Sequence, residues 1–399
     1  MSSPVYVAGL GVITAIGNNK EECLLSLEAG RDGIDEMRFL RSSHRGKIPV
    51  AEVKLANEEL AKKSHLNPGI SRTAMLSLLA AREALHDTGI ENVGELRIGF
   101  ISANTVGGMD KSEDFFVEFL KNPEHGRLRN VVHHECGSIT EWVADQLEIG
   151  HYRATISTAC SSSANAIFYG ARLIKHQYLD LVIAGGTDAL TRFTLNGFNT
   201  LMILDHEPCK PFDEDRRGLN LGEGAGYLAL ISKKLAESVR GKIYGRLSGY
   251  CNANDAYHQT ASSPEGTGSF LAMKGALDMS GLRTADISYI NLHGTGTQNN
   301  DIAEGTAIKT LFGPQYPPMS STKSFTGHTL GASGGVEAVF SVLAMDTGMV
   351  FPNLRLQTPM KELPFVPQRS ILKNQNLQHV MSNSFGFGGN CSSLIFSKK

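Results

Sequence analysis

The 399-residue chain lacks the marks of several protein classes. It has no basic excess: 38 Lys and Arg stand against 40 Asp and Glu, a formal charge of −2. A nucleic-acid binder needs a basic face, so no nucleic-acid partner is expected. The apolar N-terminal stretch MSSPVYVAGLGVITAIG is broken by glycines and has no basic residues before it. It predicts neither a signal peptide nor a membrane span. The six cysteines (Cys23, Cys136, Cys160, Cys209, Cys251 and Cys391) include no C-x-x-C pair. Their spacing gives neither a disulfide frame nor a zinc site, and a reducing, cytoplasmic setting is expected. His133-His134-Glu135 does not fit H-E-x-x-H. Asp213-Glu214-Asp215 lacks the ligand alternation of a calcium loop, so no metal site is expected. Gly9-Leu10-Gly11 has Thr14 where a dinucleotide fingerprint needs its third glycine.

What is present fits a globular protein with a sizeable interior: 41% hydrophobic and 20% charged residues. The length suits two or three domains, or one duplicated core. Apolar strand-like runs alternate with helical periods. Val5 to Ile16 reads as a buried strand. Ser71 to Thr88 reads as a helix capped by Ser71 and stopped by Gly89. Strands are predicted at 97–103, 179–184, 227–231, 242–250 and 287–292. Helices are predicted at 268–279, 302–312 and 336–346. The series runs twice, over 1–240 and 241–399, without a residue-level repeat. This alternation predicts an α/β layered fold with mostly buried strands. Lys62, Lys63, Arg72 and Arg82 read as an ordinary solvated face, or as scattered cations for an acidic protein partner.

The organising stretch is ATISTACSSSANAI, residues 154–167. It reads as strand, sharp turn and helix, with Cys160 at or just before the first helical turn. There a thiol meets unpaired backbone N–H groups and the positive end of the helix dipole, which favour thiolate. Ser161-Ser162-Ser163 is expected to leave room above the sulfur for a substrate. Two further loops begin where buried strands end: NLHGTGTQNND (291–301) with His293, and TKSFTGHTLGASGGVEA (322–338) with Lys323, His328 and Glu337. A lone cysteine is usually a small buried hydrophobe and a lone strand-end histidine usually structural. Two such histidines with a poised cysteine point instead to chemistry. A thiolate can take an acyl group from a thioester, and neutral imidazoles can donate to a carbonyl oxygen as an enolate forms. The turn Gly386-Phe387-Gly388-Gly389 can aim an N–H at the acyl oxygen, forming an oxyanion hole with the N–H of Cys160.

STACSSS, NLHGTGT, TKSFTGHTLGASGGVE and NSFGFGG, in this order, resemble the elongating type I/II β-ketoacyl-acyl-carrier-protein synthases of the thiolase superfamily. The resemblance covers essentially the whole chain. It implies a five-layer αβαβα fold of two similar halves, usually dimeric. It assigns Cys160 as the acylated nucleophile, and His293 and His328 as binders of the malonyl thioester carbonyl. Lys323 and Glu337 would support them electrostatically. Phe387 would donate its N–H to the oxyanion and gate with its ring, in a turn shaped by Gly386 and Gly388. Thr295 and Thr297 would hold the pantetheine arm. Phe198, expected in a glycine-flanked turn, would line the channel, and Val106 would close the acyl pocket across a dimer interface. No organic cofactor is implied. The implied partners are acyl and malonyl carrier proteins, and a second copy or a related chain-length factor.

Asn390-Cys391 replaces the family's usual Thr-Asn after the last glycines. NTVGGMD, the Phe115-Phe116 segment and TLNGFNTLMILD resemble ketosynthases of aryl polyene or flexirubin pigment pathways. Two alternatives stand beside the condensing reading. A thiolase acting on CoA would use Cys391 as a second catalytic cysteine. A non-catalytic partner subunit would lack the nucleophile that this chain keeps.

Overall fold

Strands with apolar residues on both faces must be covered on both faces, and that requirement governs the architecture. A computed structural model describes residues 3–66, 69–90 and 94–398. Its strands are β1 (Val5–Thr14), β2 (Ile98–Ala103), β3 (Tyr152–Ile156), β4 (Leu181–Asp188) and β5 (Gly224–Ser232), then β6 (Gly245–Asn254), β7 (Tyr289–Asn291), β8 (Met319–Ser320), β9 (His379–Phe385) and β10 (Asn390–Ser397).

They form one sheet in the order β3-β2-β4-β5-β1-β6-β10-β9-β7-β8. The order is a palindrome of topology. In the first leaf β3, β2 and β4 are parallel, and β4–β5 and β5–β1 are antiparallel. In the second leaf β8, β7 and β9 are parallel, and β9–β10 and β10–β6 are antiparallel. Among the described residues the strands of the two leaves pair only where Val5–Val7 meets Gly245–Leu247. Beyond that join two amides of β1 are taken by carboxylates: Leu10 N donates to Asp87 (2.9 Å) and Val12 N to Glu83 (2.8 Å). The leaves can therefore part and enclose a layer between them.

Helices Ser162–Lys175 and Ser333–Thr347 fill that layer and share one core with the inner faces of both leaves. Helices Arg72–Asp87 and Cys136–Gln146 cover the first leaf from outside, and Thr267–Ser280 and Gln298–Phe312 cover the second. Side-chain alternation sorts each strand between cores: in β5, Tyr227, Ala229 and Ile231 face outward, and Leu228 and Leu230 face inward. This is the five-layer α/β arrangement of two similar halves.

Ser71 caps the helix Arg72–Asp87, accepting from Ala74 N at 3.3 Å, as its sequence predicts. Gly9 and Gly11 are needed because that helix lies directly on β1. A Cβ on Gly9 would fall 2.1 Å from Ala84 O, and one on Gly11 1.9 Å from Ala80 O. Phe198 departs from expectation: it lies within the helix Arg192–Thr200, capped by Thr191, and not in a turn. Arg72 is no solvated cation. It is buried against Glu223 (2.6 Å) and also donates to Val53 O and Leu55 O.

Candidate active site

The nucleophile sits on a strained turn. Ala159 is forced to φ +53°, Thr158 and Cys160 bridge across it, and the helix begins at Ser162. Cys160 is buried, and burial pushes its thiol up to about 11; the N–H groups of Phe387 and Cys160 and the charge of Lys323 pull the other way. The expected thiolate is therefore not the resting form, because removal from water outweighs the helix start. The two amides acting on the sulfur are the pair that the sequence suggested for an oxyanion hole. Gly386 allows their approach: a Cβ there would lie 3.1 Å from Cys160 N and 3.1 Å from Thr158 O.

Both histidines come from the second half of the chain, and the backbone of His328 bridges to Leu221, just before β5. His293 follows β7, and its ring lies edge-on to that of His328, with centroids 5.6 Å apart. Lys323 Nζ donates to His293 Nδ1 (3.2 Å), to His293 O (2.6 Å) and to Glu337 Oε1. In His328, Nδ1 accepts from Leu330 N (3.0 Å) and lies 3.1 Å from Ser333 Oγ. Nδ1 is thus the acceptor in each ring, so the neutral tautomer carries its proton on Nε2. Burial, then the charge of Lys323, holds both rings well below the usual histidine range. The result is two neutral imidazoles, each with an Nε2–H donor.

Cys160, His293 and His328 line one cavity of about 400 Å³, together with Phe198, Thr295, Thr297, Gly386 and Phe387. The sequence-remote sulfur and imidazoles therefore converge. Thr295 and Thr297 share a hydroxyl contact of 2.9 Å at its wall. Lys323 and Glu337 are buried behind His293 and do not line the cavity. Burial raises the Glu337 carboxyl to about 7 against the pull of Lys323. Gly388, with φ +77°, shapes the turn and donates its N–H to Gln259 O at 2.7 Å. Val106 is buried away from the cavity, in an apolar cluster with Leu190, Leu195 and Leu330 that Phe198 packs against. A larger open groove of about 1010 Å³, between residues 38–45 and the helix Met109–Lys121, holds none of these groups.

Ser161 is a correction. It is fully buried and donates to Thr158 O (2.8 Å) and Asn390 Oδ1 (2.7 Å), so it braces the turn and does not face the substrate. Ser162 bonds to Ala159 O and Ser163 accepts from Gly335 N; the serine run is packed and leaves no room. Cys391 is likewise buried in the core of the second leaf, apart from the cavity, so it cannot serve as a second catalytic cysteine there. Its neighbour Asn390 ties Ser161, Asn165 and Asn252 together beneath the nucleophile. Among the described residues no His/Cys/Asp/Glu group could hold a metal, His133-His134-Glu135 included.

Sequence reasoning missed the carboxylates that shape the loops. Glu304 accepts from His293 N (2.9 Å) and Gly294 N (2.8 Å), and Asp301 from Thr295 N (3.0 Å) and Gly296 N (3.2 Å). The signal was present: two acids one turn apart on the helix that follows a glycine loop can reach back to its amides.

A sulfur, two neutral imidazoles and paired amides, set between the leaves of a duplicated αβαβα fold, define a condensing enzyme of the thiolase type. Residues 2–236 match the β-ketoacyl synthase N-terminal domain and residues 244–357 its C-terminal domain. The chain belongs to the β-ketoacyl synthase family. It is 34% identical to the 3-oxoacyl-(acyl-carrier-protein) synthase 2 of Staphylococcus aureus, over 99% of this chain and 98% of that relative. It is 35% identical to the enzyme of that name from Synechocystis, over 99% and 98%. Among solved structures it resembles the ishigamide ketosynthase/chain length factor (TM-score 0.94, 29% identity, all of both chains). It also resembles a chain of the complex of the ketosynthase ApeO with its chain length factor ApeC from Xenorhabdus doucetiae (TM-score 0.86, 32% identity, 100% of this chain and 98% of that one). No helix among the described residues is long and apolar enough to cross a membrane.

Proposed function

We propose that the chain is a 3-oxoacyl-acyl-carrier-protein synthase that lengthens an acyl chain by two carbons through decarboxylative condensation. The observation that carries this reading is the shared cavity of Cys160 with two neutral Nε2–H donors. In the first half-reaction Cys160 Sγ bonds to the acyl carbon, the carrier thioester C–S bond breaks, and the thiol proton ends on the carrier thiol. In the second, the malonyl thioester loses carbon dioxide. The electrons of the broken C–C bond become an enolate, whose oxygen is held by His293 and His328. Its carbon attacks the acyl thioester on Cys160, the oxyanion rests on the N–H groups of Cys160 and Phe387, and the sulfur leaves and takes up one proton. Thr295 and Thr297 hold the pantetheine arm. Residues 1–240 supply the nucleophile and 241–399 both histidines, which is the division of the halves in this reading. A cytoplasmic location belongs to the same proposal.

A finer reading makes the chain the catalytic subunit of an aryl polyene or other specialised polyketide system, paired with a chain-length factor. The likeness to a chain of the ApeO–ApeC complex supports it, together with the retained Cys160 and both histidines. So does the amphipathic helix Met109–Lys121, which buries none of its residues in the single chain and exposes Phe116 and Leu120 for a second chain to cover.

The test is mass spectrometry after incubation with a panel of acyl carrier proteins, then malonyl carrier protein. The expected result is acylation confined to Cys160, followed by malonyl-dependent release of carbon dioxide and a product two carbons longer. An acylated protein that turns over without malonyl would overturn the reading.

A further inference from the structure

Asp188, the last residue of β4, is fully buried, and its oxygens are met by neutral donors. Its carboxylate is filled by four donors from two segments. Thr105 N (2.9 Å), Thr105 Oγ1 (2.6 Å) and Val106 N (3.1 Å) come from the loop after β2. Gly331 N (2.7 Å) comes from the turn after His328. Three neutral N–H donors and a hydroxyl satisfy a buried carboxylate only while both segments stay in place.

The turn is tight. Leu330 has φ +56°, a costly conformation for a branched residue, and in that conformation its N–H reaches His328 Nδ1 at 3.0 Å. Gly331 has no room for a side chain: a Cβ would lie 2.8 Å from Asp188 Oδ2 and 3.0 Å from Thr105 Cγ2. The contact that sets the His328 tautomer is thus held by a residue next to the one that Asp188 binds. At the other end, Val106 and Leu330 pack in one apolar cluster.

We infer that Asp188 is a positioning residue that ties the Val106 loop to the His328 turn, so that His328 keeps its proton on Nε2 and its place in the cavity. Asp188 touches no reacting atom and acts through Gly331 and Leu330. The inference rests on the condensing reading for its consequence, and not for its geometry. A displacement of the loop that carries Thr105 and Val106 is passed by one carboxylate to the turn that follows His328.

The experiment uses the full chain with labelled histidine. Imidazole nitrogen–proton spectra of the wild type should show His328 neutral and protonated on Nε2. Asp188→Asn puts an amide donor against the N–H groups and should give His328 a mixed tautomer signal. Acylation at Cys160 should persist in this variant, while decarboxylation of malonyl carrier protein falls about a hundredfold. The double variant with His328→Ala should be no slower than His328→Ala alone, because both act at one point. Thr105→Val and Gly331→Ala serve if Asp188→Asn does not fold; each should shift the same His328 signal. An unchanged His328 spectrum, or fully additive losses in the double variant, overturns the inference. A shifted spectrum in a protein whose wild type releases no carbon dioxide would uphold Asp188 as a positioning residue and overturn the proposed function instead.

Discussion

The rings of Phe198 and Phe387 lie stacked, with centroids 5.8 Å apart and planes inclined by 17°. One ring comes from a helix of the first half and the other from the turn beside Cys160, and both line the cavity. Phe387 therefore has two separable parts: an amide aimed at the sulfur and a ring resting on Phe198.

Phe387→Ala keeps the amide and removes the ring. We predict that acylation of Cys160 continues, and that malonyl decarboxylation no longer waits for it. Carbon dioxide release from the unacylated enzyme should rise by about fivefold, since an aromatic contact of about 1 kcal/mol is lost. Counting carbon dioxide against product separates the outcomes. Release that stays coupled to product would show that the ring does not gate.

His293→Ala and His328→Ala should each leave Cys160 open to acylation but lower decarboxylation by about a hundred- to a thousandfold, the usual loss for one oxyanion donor. His293→Gln and His328→Gln retain an N–H donor and should recover part of the rate. Single-turnover assays on pre-acylated protein isolate this step. Condensation at the wild-type rate by either alanine variant would remove that histidine from the mechanism.

Much of this was legible in the sequence, for a physical reason. Cys160, His293, His328 and Phe387 stand where apolar strands give way to small-residue loops, and both the strand period and the glycines are local signals. What failed was what depends on partners remote in the chain. Ser161 looked like a substrate contact until Asn390, more than two hundred residues later, took its hydroxyl. Arg72 looked solvent-facing until Glu223 buried it. The Cys160 thiol looked acidified by its helix, yet burial by the whole fold decides the sign. The palindromic strand order was out of reach for the same reason, because pairing β1 with β6 is a choice made in three dimensions.

Lys323 and Glu337 form a buried ion pair that also carries His293. Lys323→Ala strands a carboxylate in the interior, for which a loss of about 3 kcal/mol in unfolding free energy is expected. Lys323→Met with Glu337→Gln removes both charges and should restore most of that stability while leaving decarboxylation impaired, because His293 Nδ1 has lost its donor. Urea midpoints measure the first effect and single-turnover decarboxylation the second. Recovery of full activity in the double variant would show that Lys323 serves only to pair with Glu337.

The buried thiol makes a prediction about pH with a definite sign. Burial pushes Cys160 up to about 11 and holds both imidazoles well below the usual histidine range, which favours neutral partners over a thiolate–imidazolium pair. Iodoacetamide alkylation at Cys160 should therefore climb about tenfold per pH unit from about pH 7 to about pH 10, following the rising thiolate fraction. A thiol whose folded value lies above its unfolded one keeps its proton longer in the native state. Its contribution to stability is intact below about pH 9 and is lost as pH rises towards about 11. Cys160→Ser lacks that loss. The wild type should therefore fall in urea midpoint relative to Cys160→Ser over that alkaline window, and the two should run parallel below it. An alkylation profile with its inflection near pH 6.5 would instead reveal a proton shared between Cys160 and a histidine, and the tautomers assigned to His293 and His328 would have to be reversed.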